Sequence, residues 1–330
     1  MPADTANHLD GIMIGTRCLL HTEMACKVAT HNIPLFLEKP VAVAIAITFD
    51  QTRELDAAFR GVTAPVAMSF PLRVSPVLQR VKEIVDAGQI GTVEQVVAFN
   101  DVPYGSVYFR SWYWNYEENG GLFLQKATHD IDYINYLIGH RPKWISAMNA
   151  RRVFGREMPF DLRCADCDRQ ESCPESPAHR FRHGFEGEEV AYDVRHGACV
   201  FSGGIEMEDM GSCQIEYEHG AQVSYTQNFF ARYQAARRGA RLYGYKGTLE
   251  FDWYQNQIKV YSHTTPTVDT IDFTGDMPHF GGDRELAYDF PMAMRDRTPS
   301  RAPIEAGILS TLTCLWARES AQTKQACEVI

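Results

Sequence analysis

Pro34-Leu35-Phe36-Leu37-Glu38-Lys39-Pro40 is a short apolar strand that ends in an acid, a lysine and a proline. Upstream, Gly11-Ile12-Met13-Ile14-Gly15-Thr16-Arg17 is another apolar strand with a polar tip, and residues 20–29 between them have helical character. Strand, helix, strand is a βαβ unit. Such units build parallel sheets, and ligands sit at the carboxyl ends of their strands. Lys39 stands at one of those ends.

The pattern continues as strand, helix, strand, helix, strand through residue 70, where Pro65-Val66-Ala67-Met68-Ser69-Phe70 is the last strand. Ser75 as N-cap, Pro76 at the first helical position and Gly88 beyond the end delimit the next helix. Residues 93–99 favour a strand. Gly120-Gly121 leads into a helix over 122–138, stopped by Gly139 and Pro142, with Leu124, Ala127, Ile131, Ile134 and Ile138 as its apolar stripe. From Gly211 onward strands dominate. His219-Gly220 and Lys246-Gly247 read as hairpin turns, and 304–323 as a closing helix.

The expected fold class is α/β plus α+β: an incomplete Rossmann-type parallel sheet, then a domain with a largely antiparallel open sheet packed on helices. The expected division is 1–72, 73–303 with a Cys-rich insertion at 155–190, and 304–330.

Composition narrows the function. The 330 residues are 45% hydrophobic with a formal net charge of −10, which argues against a nucleic-acid or anionic-membrane partner. No apolar run approaches the roughly 18 residues that span a bilayer. Met1-Pro2-Ala3-Asp4-Thr5 lacks the basic and apolar regions of a signal peptide. Nine scattered cysteines suit reduced thiols and a cytoplasmic location.

The chemistry concentrates on the 122–138 helix. Gln125, His129 and Asp132 are spaced i, i+4, i+7 and share one face, flanked by Lys126. A histidine or a desolvated lysine can take or give a proton near neutral pH, so this face could carry general acid–base chemistry. Solvated polar residues on a helix face are the plainer alternative. Tyr104, Tyr108, Arg110, Trp112, Trp114 and Tyr116 would suit a polyhydroxylated ligand, or a core. Cys164, Cys167 and Cys173, with His179 six residues later, have the spacing of a closed structural zinc site, against which stand free thiols in a loop.

Glu38-Lys39-Pro40 together with Gly120-Gly121, His129 and Asp132 resembles the Gfo/Idh/MocA family of NAD(P)-dependent dehydrogenases. The resemblance implies Lys39, His129 and Lys126 as catalytic groups and Gln125, Asp132 and Arg110 as substrate contacts. It implies Thr16, Arg17, His21, Glu38, Lys39 and Pro40 as cofactor contacts. Gln125 stands where the family usually has Asp, and it cannot ionise. His279 to Asp283 is similar to a family loop near the substrate. NAD or NADP is the implied cofactor, a sugar, cyclitol or related polyol the implied substrate, and a homo-oligomer built through the open sheet face the implied assembly. Family members begin with a Gly-rich G-x-G-x-x-G turn, and none precedes Gly11. The expectation is therefore a start at the family's fourth strand, about 60 residues in, with weak cofactor binding. Two functions stand open: a polyol oxidoreductase, or a non-catalytic remnant that folds and oligomerises.

Overall fold

The computed structural model describes residues 8–42, 48–110, 112–183, 198–275 and 278–329; the extreme N-terminus and the last part of the 155–190 insertion fall outside them. The βαβ reading holds. Strands β1 (Ile12–Ile14), β2 (Leu35–Leu37) and β3 (Val66–Met68) form a parallel sheet in that order. Helices α1 (His21–Ala29) and α2 (Thr48–Phe59) connect them. Leu35, Leu37 and Met68 are fully buried beneath these helices. The parallel register sets Ile14 beside Leu37, so the tips that follow, Gly15-Thr16-Arg17 and Glu38-Lys39-Pro40, emerge side by side.

Helix α3 (Pro76–Asp86) starts as its sequence dictates: Ser75 Oγ accepts from the Leu78 N–H at 3.4 Å, and Pro76 occupies the first turn. Nine strands form the second sheet, in the order β11-β10-β9-β8-β4-β7-β6-β5-β12. They are β4 (Val93–Asp101), β5 (Pro142–Ala150), β6 (Met210–Tyr217), β7 (Gln222–Asn228), β8 (Arg237–Gly244), β9 (Gly247–Asp252), β10 (Gln257–Ser262), β11 (Val268–Asp272) and β12 (Cys327–Glu328). Every pairing is antiparallel except β4 with β7. The hairpins at His219-Gly220 and Lys246-Gly247 form as expected.

One face of this sheet is covered by helices. Val96, Ile145, Val223, Leu242 and Leu249 point into a core shared with Ile131, Ile134 and Leu137. The other face leaves Val97, Trp144, Met148 and Met210 exposed. The last helix, Ile304–Thr323, joins the two layers: Ile304 and Ile308 pack with the small sheet, Cys314, Leu315 and Ala321 with the large one.

The 122–138 helix departs from expectation. It is two pieces, α4 (Leu122–Gln125) and α5 (Ala127–Ile138), broken at Lys126 with φ −114° and ψ −50°. The cause is tertiary. The Lys39 Nζ donates to the Gln125 carbonyl at 2.6 Å, taking the acceptor that the His129 N–H would use in a continuous helix. The His129 N–H turns to the Lys126 carbonyl at 3.4 Å. The start of α4 is capped by Glu208, whose Oε1 accepts from the Leu122 and Phe123 N–H groups at 2.6 and 3.3 Å. Gly121 is required there: its φ is +92°, and a Cβ would lie 2.9 Å from Tyr116 and 3.0 Å from the Glu208 carboxylate.

Candidate active site

The break at Lys126 turns one helix into a platform. Gln125, Lys126 and His129 are each less than a tenth exposed, and Lys39 reaches them from the end of β2. Part of the Lys39 side chain stays open to solvent, while its amine is enclosed. Burial lowers its pKa to about 8, and the neighbouring Lys126 adds to the shift. Lys126 is held well below the ordinary lysine range, chiefly by burial and then by Arg238. Its amine hydrogen-bonds the Tyr104 hydroxyl and lies over the Tyr104 and Tyr108 rings, 4.8 and 5.9 Å from their centroids. The His129 imidazole is pushed well down by burial, then by Lys39, Arg238, His279 and Lys126. Its Nδ1 is buried with no hydrogen-bond partner. The His279 ring stands 6.1 Å from it, which brings the 279–283 loop to the site as anticipated.

A cleft of about 350 Å³ opens at the ends of β1 and β2 and is lined by Thr16, Arg17, Cys18, Glu38, Lys39 and Gln125, among others. The Arg17 guanidinium lies 4.0 Å over the Trp112 ring, and Trp112 stacks on Tyr113 at 4.1 Å. A second depression of about 220 Å³, beside Pro299 and Pro303, is lined by neither lysine.

Several expected contacts are engaged elsewhere. Both ring nitrogens of His21 face carbonyls, those of Pro40 and Thr16 at 2.8 and 3.1 Å, so this side chain pins the two strand tips together. The Asp132 carboxylate receives Arg73 Nε at 3.0 Å and Nη2 at 2.6 Å in a buried pair. Arg110 is paired with an acid of the 155–190 insertion. It joins Arg180 and Arg232 around the Glu175 carboxylate, at 3.5, 2.9 and 2.7 Å.

The zinc expectation finds no support in the structure. Among the described residues no group of three His, Cys, Asp or Glu side chains could hold a metal ion. All nine cysteines are thiols. The His179 ring stacks on His183 at 4.1 Å, with Nδ1 facing the Glu171 carbonyl at 3.2 Å. Through Glu175 the segment is tied to Arg110 and Arg232 from elsewhere in the chain. Glu175→Gln should therefore expose the 163–183 segment to trypsin before the rest of the chain yields; unchanged cleavage would show that the cluster does not hold it.

Two groups escaped the sequence reading. Asp130 is fully buried beside His129. Its carboxylate accepts from Arg238 Nε at 2.8 Å, Asn100 Nδ2 at 2.7 Å and Tyr225 OH at 2.9 Å. Position 130 falls on the apolar stripe, three after Ala127 and four before Ile134, and an acid there signals a buried partner. Nothing local marks Arg238 as that partner.

The profile of the GFO/IDH/MocA C-terminal domain matches residues 78–250, more than half of the chain. The chain belongs to the GFO/IDH/MocA family. It is 27% identical over 273 residues to YteT of Bacillus subtilis (strain 168), named as an oxidoreductase, covering 76% of this chain and 62% of YteT. It is 25% identical over 149 residues to inositol 2-dehydrogenase of Rhizobium meliloti (strain 1021), covering 44% of this chain and 42% of that protein. Levoglucosan dehydrogenase, solved with NADH and levoglucosan, shares the GFO/IDH/MocA fold with a TM-score of 0.74 at 16% identity, covering 97% of this chain and 80% of that one. The chain thus spans about three fifths of the length of YteT.

Proposed function

We propose that the site oxidises a hydroxyl of a small polyhydroxylated molecule with a nicotinamide cofactor. The enclosed Lys39 amine, with a pKa of about 8 at the end of a parallel strand, carries this reading. The cleft of about 350 Å³ at the ends of β1 and β2 fits the nicotinamide end of NAD or NADP in size and position. Gly15, Thr16, Arg17, Glu38 and Lys39 would line it, and the bound cofactor would supply the hydride acceptor. Lys39 takes the hydroxyl proton on its neutral amine. The His129 Nδ1, buried without a partner, holds a second substrate oxygen. Gln125 orients but does not titrate. Pro40 shapes the turn under Lys39. Sugar and inositol dehydrogenases among the relatives support a sugar or cyclitol as substrate.

The test is reduction of NAD or NADP in the presence of a panel of sugars, cyclitols and their acids, followed by absorbance of the reduced nicotinamide. Turnover of at least one compound is expected, and none across the panel contradicts the reading. We further propose that a second copy of the chain covers the sheet face bearing Val97, Trp144, Met148 and Met210. Light scattering should then give a multimer mass, and Met148→Lys should shift it toward monomer; a monomer in the unsubstituted protein overturns this.

A further inference from the structure

The loop that brings His279 to the site holds a pair of titratable groups that neither the proton transfer to Lys39 nor the hold on the substrate uses. His279 Nδ1 lies 3.0 and 2.9 Å from the two oxygens of the Asp283 carboxylate. A carboxylate accepts, so Nδ1 carries the hydrogen and Nε2 is left as the acceptor. Both side chains are nearly half exposed, at 44% and 48%. An ion pair that wet contributes little to stability, so holding the fold does not account for it. The backbone there is strained. His279 and Phe280 stand in the left-handed region with φ of +43° and +55°, which residues other than glycine seldom adopt without cost. Their neighbours fix the turn. The Phe280 ring packs on Trp253 and Tyr254 at 5.9 and 5.5 Å. Gly282 lies so close to the Pro71 carbonyl that a Cβ would come within 1.9 Å of it. The result is a firmly placed imidazole, open to solvent on one side and 6.1 Å from the buried His129 ring on the other.

We propose that His279, oriented by Asp283, is the residue through which the proton of the reaction leaves the enclosed site for solvent. The proposal rests on the dehydrogenase reading and adds the step that closes its cycle. A substrate C–H bond breaks, its hydride passes with both electrons to the oxidised nicotinamide of NAD or NADP, and the C–O bond becomes a carbonyl. The hydroxyl proton passes to the neutral Lys39 amine. Lys39 is then an ammonium in a buried site that disfavours it, and it cannot take the next proton until it loses this one. Its amine is anchored on the Gln125 carbonyl, one helical turn before His129. With their centres 6.1 Å apart the two imidazoles are not hydrogen-bonded to each other, and one hydroxyl or water oxygen fits between them. Across that oxygen the proton reaches His279 Nε2, and the imidazolium releases it to water or buffer. One proton leaves for each hydride transferred. The groups facing His279 are Asp283 from the adjoining helix Gly282–Asp296 and His129 from α5. Arg73, on the segment beside the loop, is committed to Asp132.

Rapid-mixing kinetics and NMR on the 330-residue protein test this. The compounds are myo-inositol, levoglucosan, D-galactose and D-gluconate, each with NAD or NADP, at a pH where Lys39 starts neutral. The variant is His279→Asn, since asparagine tolerates a left-handed backbone. Its first turnover should form reduced nicotinamide at near the unsubstituted rate, because Lys39 has room for one proton. Later turnovers should be slower by about 10²-fold, the lower end of the cost of losing an acid–base group. Added imidazole should restore the later turnovers and leave the first unchanged. Without any substrate, long-range ¹H–¹⁵N spectra should show the His279 hydrogen on Nδ1, and Asp283→Ala should lose that preference. A first turnover slowed as much as the later ones would make His279 a binding or structural group. That result, unchanged steady-state turnover in His279→Asn, no rescue by imidazole, or a hydrogen on Nε2 in the unsubstituted protein overturns the proposal. Should His279→Asn fail to fold, the same burst and rescue in Asp283→Ala decide. No turnover of any compound by the unsubstituted protein removes the dehydrogenase reading and the proposal with it; turnover that His279→Asn leaves unaffected removes the proposal alone.

Discussion

Lys39→Ala is expected to lower cofactor-linked turnover by about 10²- to 10⁴-fold, the usual cost of removing a general base. The loss should fall on kcat more than on KM, because the lysine acts on the proton rather than on the bulk of the substrate. The pH profile carries the same information. With a pKa of about 8, only about a tenth of Lys39 is neutral at pH 7, so kcat/KM should rise roughly tenfold per unit below pH 8 and level off above it. Near-normal turnover in Lys39→Ala, or a profile flat across pH 6–9, would assign the proton to another group.

The second large effect is on stability. Asp130 and Arg238 are 0% and 2% exposed, and their pair underlies the whole platform. Asp130→Ala leaves the Arg238 guanidinium buried without its counter-charge and removes the acceptor for Asn100 and Tyr225. A loss of about 3–5 kcal/mol is expected, read from urea unfolding. Asp130→Leu combined with Arg238→Met removes both charges and should cost less than Asp130→Ala alone, since the penalty comes mainly from an unpaired ion. A single substitution costing under about 1 kcal/mol would mean that water reaches Arg238 and that the pair is not the support described.

The parts of this fold set by local pattern were legible in the sequence. Alternating strands and helices gave the parallel sheet up to Met68, Ser75-Pro76 gave the start of α3, and the helix Ile304–Thr323 has the expected bounds. The helix break at Lys126 was not legible. Gln125, Lys126 and Ala127 are all good helix formers with no Gly or Pro among them, and the break is imposed by a lysine 86 residues away that takes the Gln125 carbonyl. The same limit hid the parallel pairing of β4 with β7, which joins residues more than 120 apart. At the site, Lys39, Gln125, Lys126 and His129 came together as their motifs implied. Asp132 and Arg110 did not join them, because each has a buried or partly buried ion partner that spacing cannot reveal. The cysteine spacing shows the same limit: three thiols within ten residues suit a metal, but spacing does not reveal the ion pairs that Glu175 of this segment makes with Arg110, Arg180 and Arg232.

The most direct measurement is the titration of Lys39 itself, by NMR of protein labelled with ¹³C at the lysine Cε and assigned with Lys39→Met. A midpoint near 8 is expected, against about 10.4 for an ordinary lysine. The sign has a consequence for stability: between about pH 8 and 10.4 the unfolded chain holds a proton that the folded protein has released, so stability should rise with pH across that window. A Lys39 midpoint near 8 makes it a base ready at physiological pH. A midpoint above 10 would leave the amine protonated there and contradict its role in taking the substrate proton.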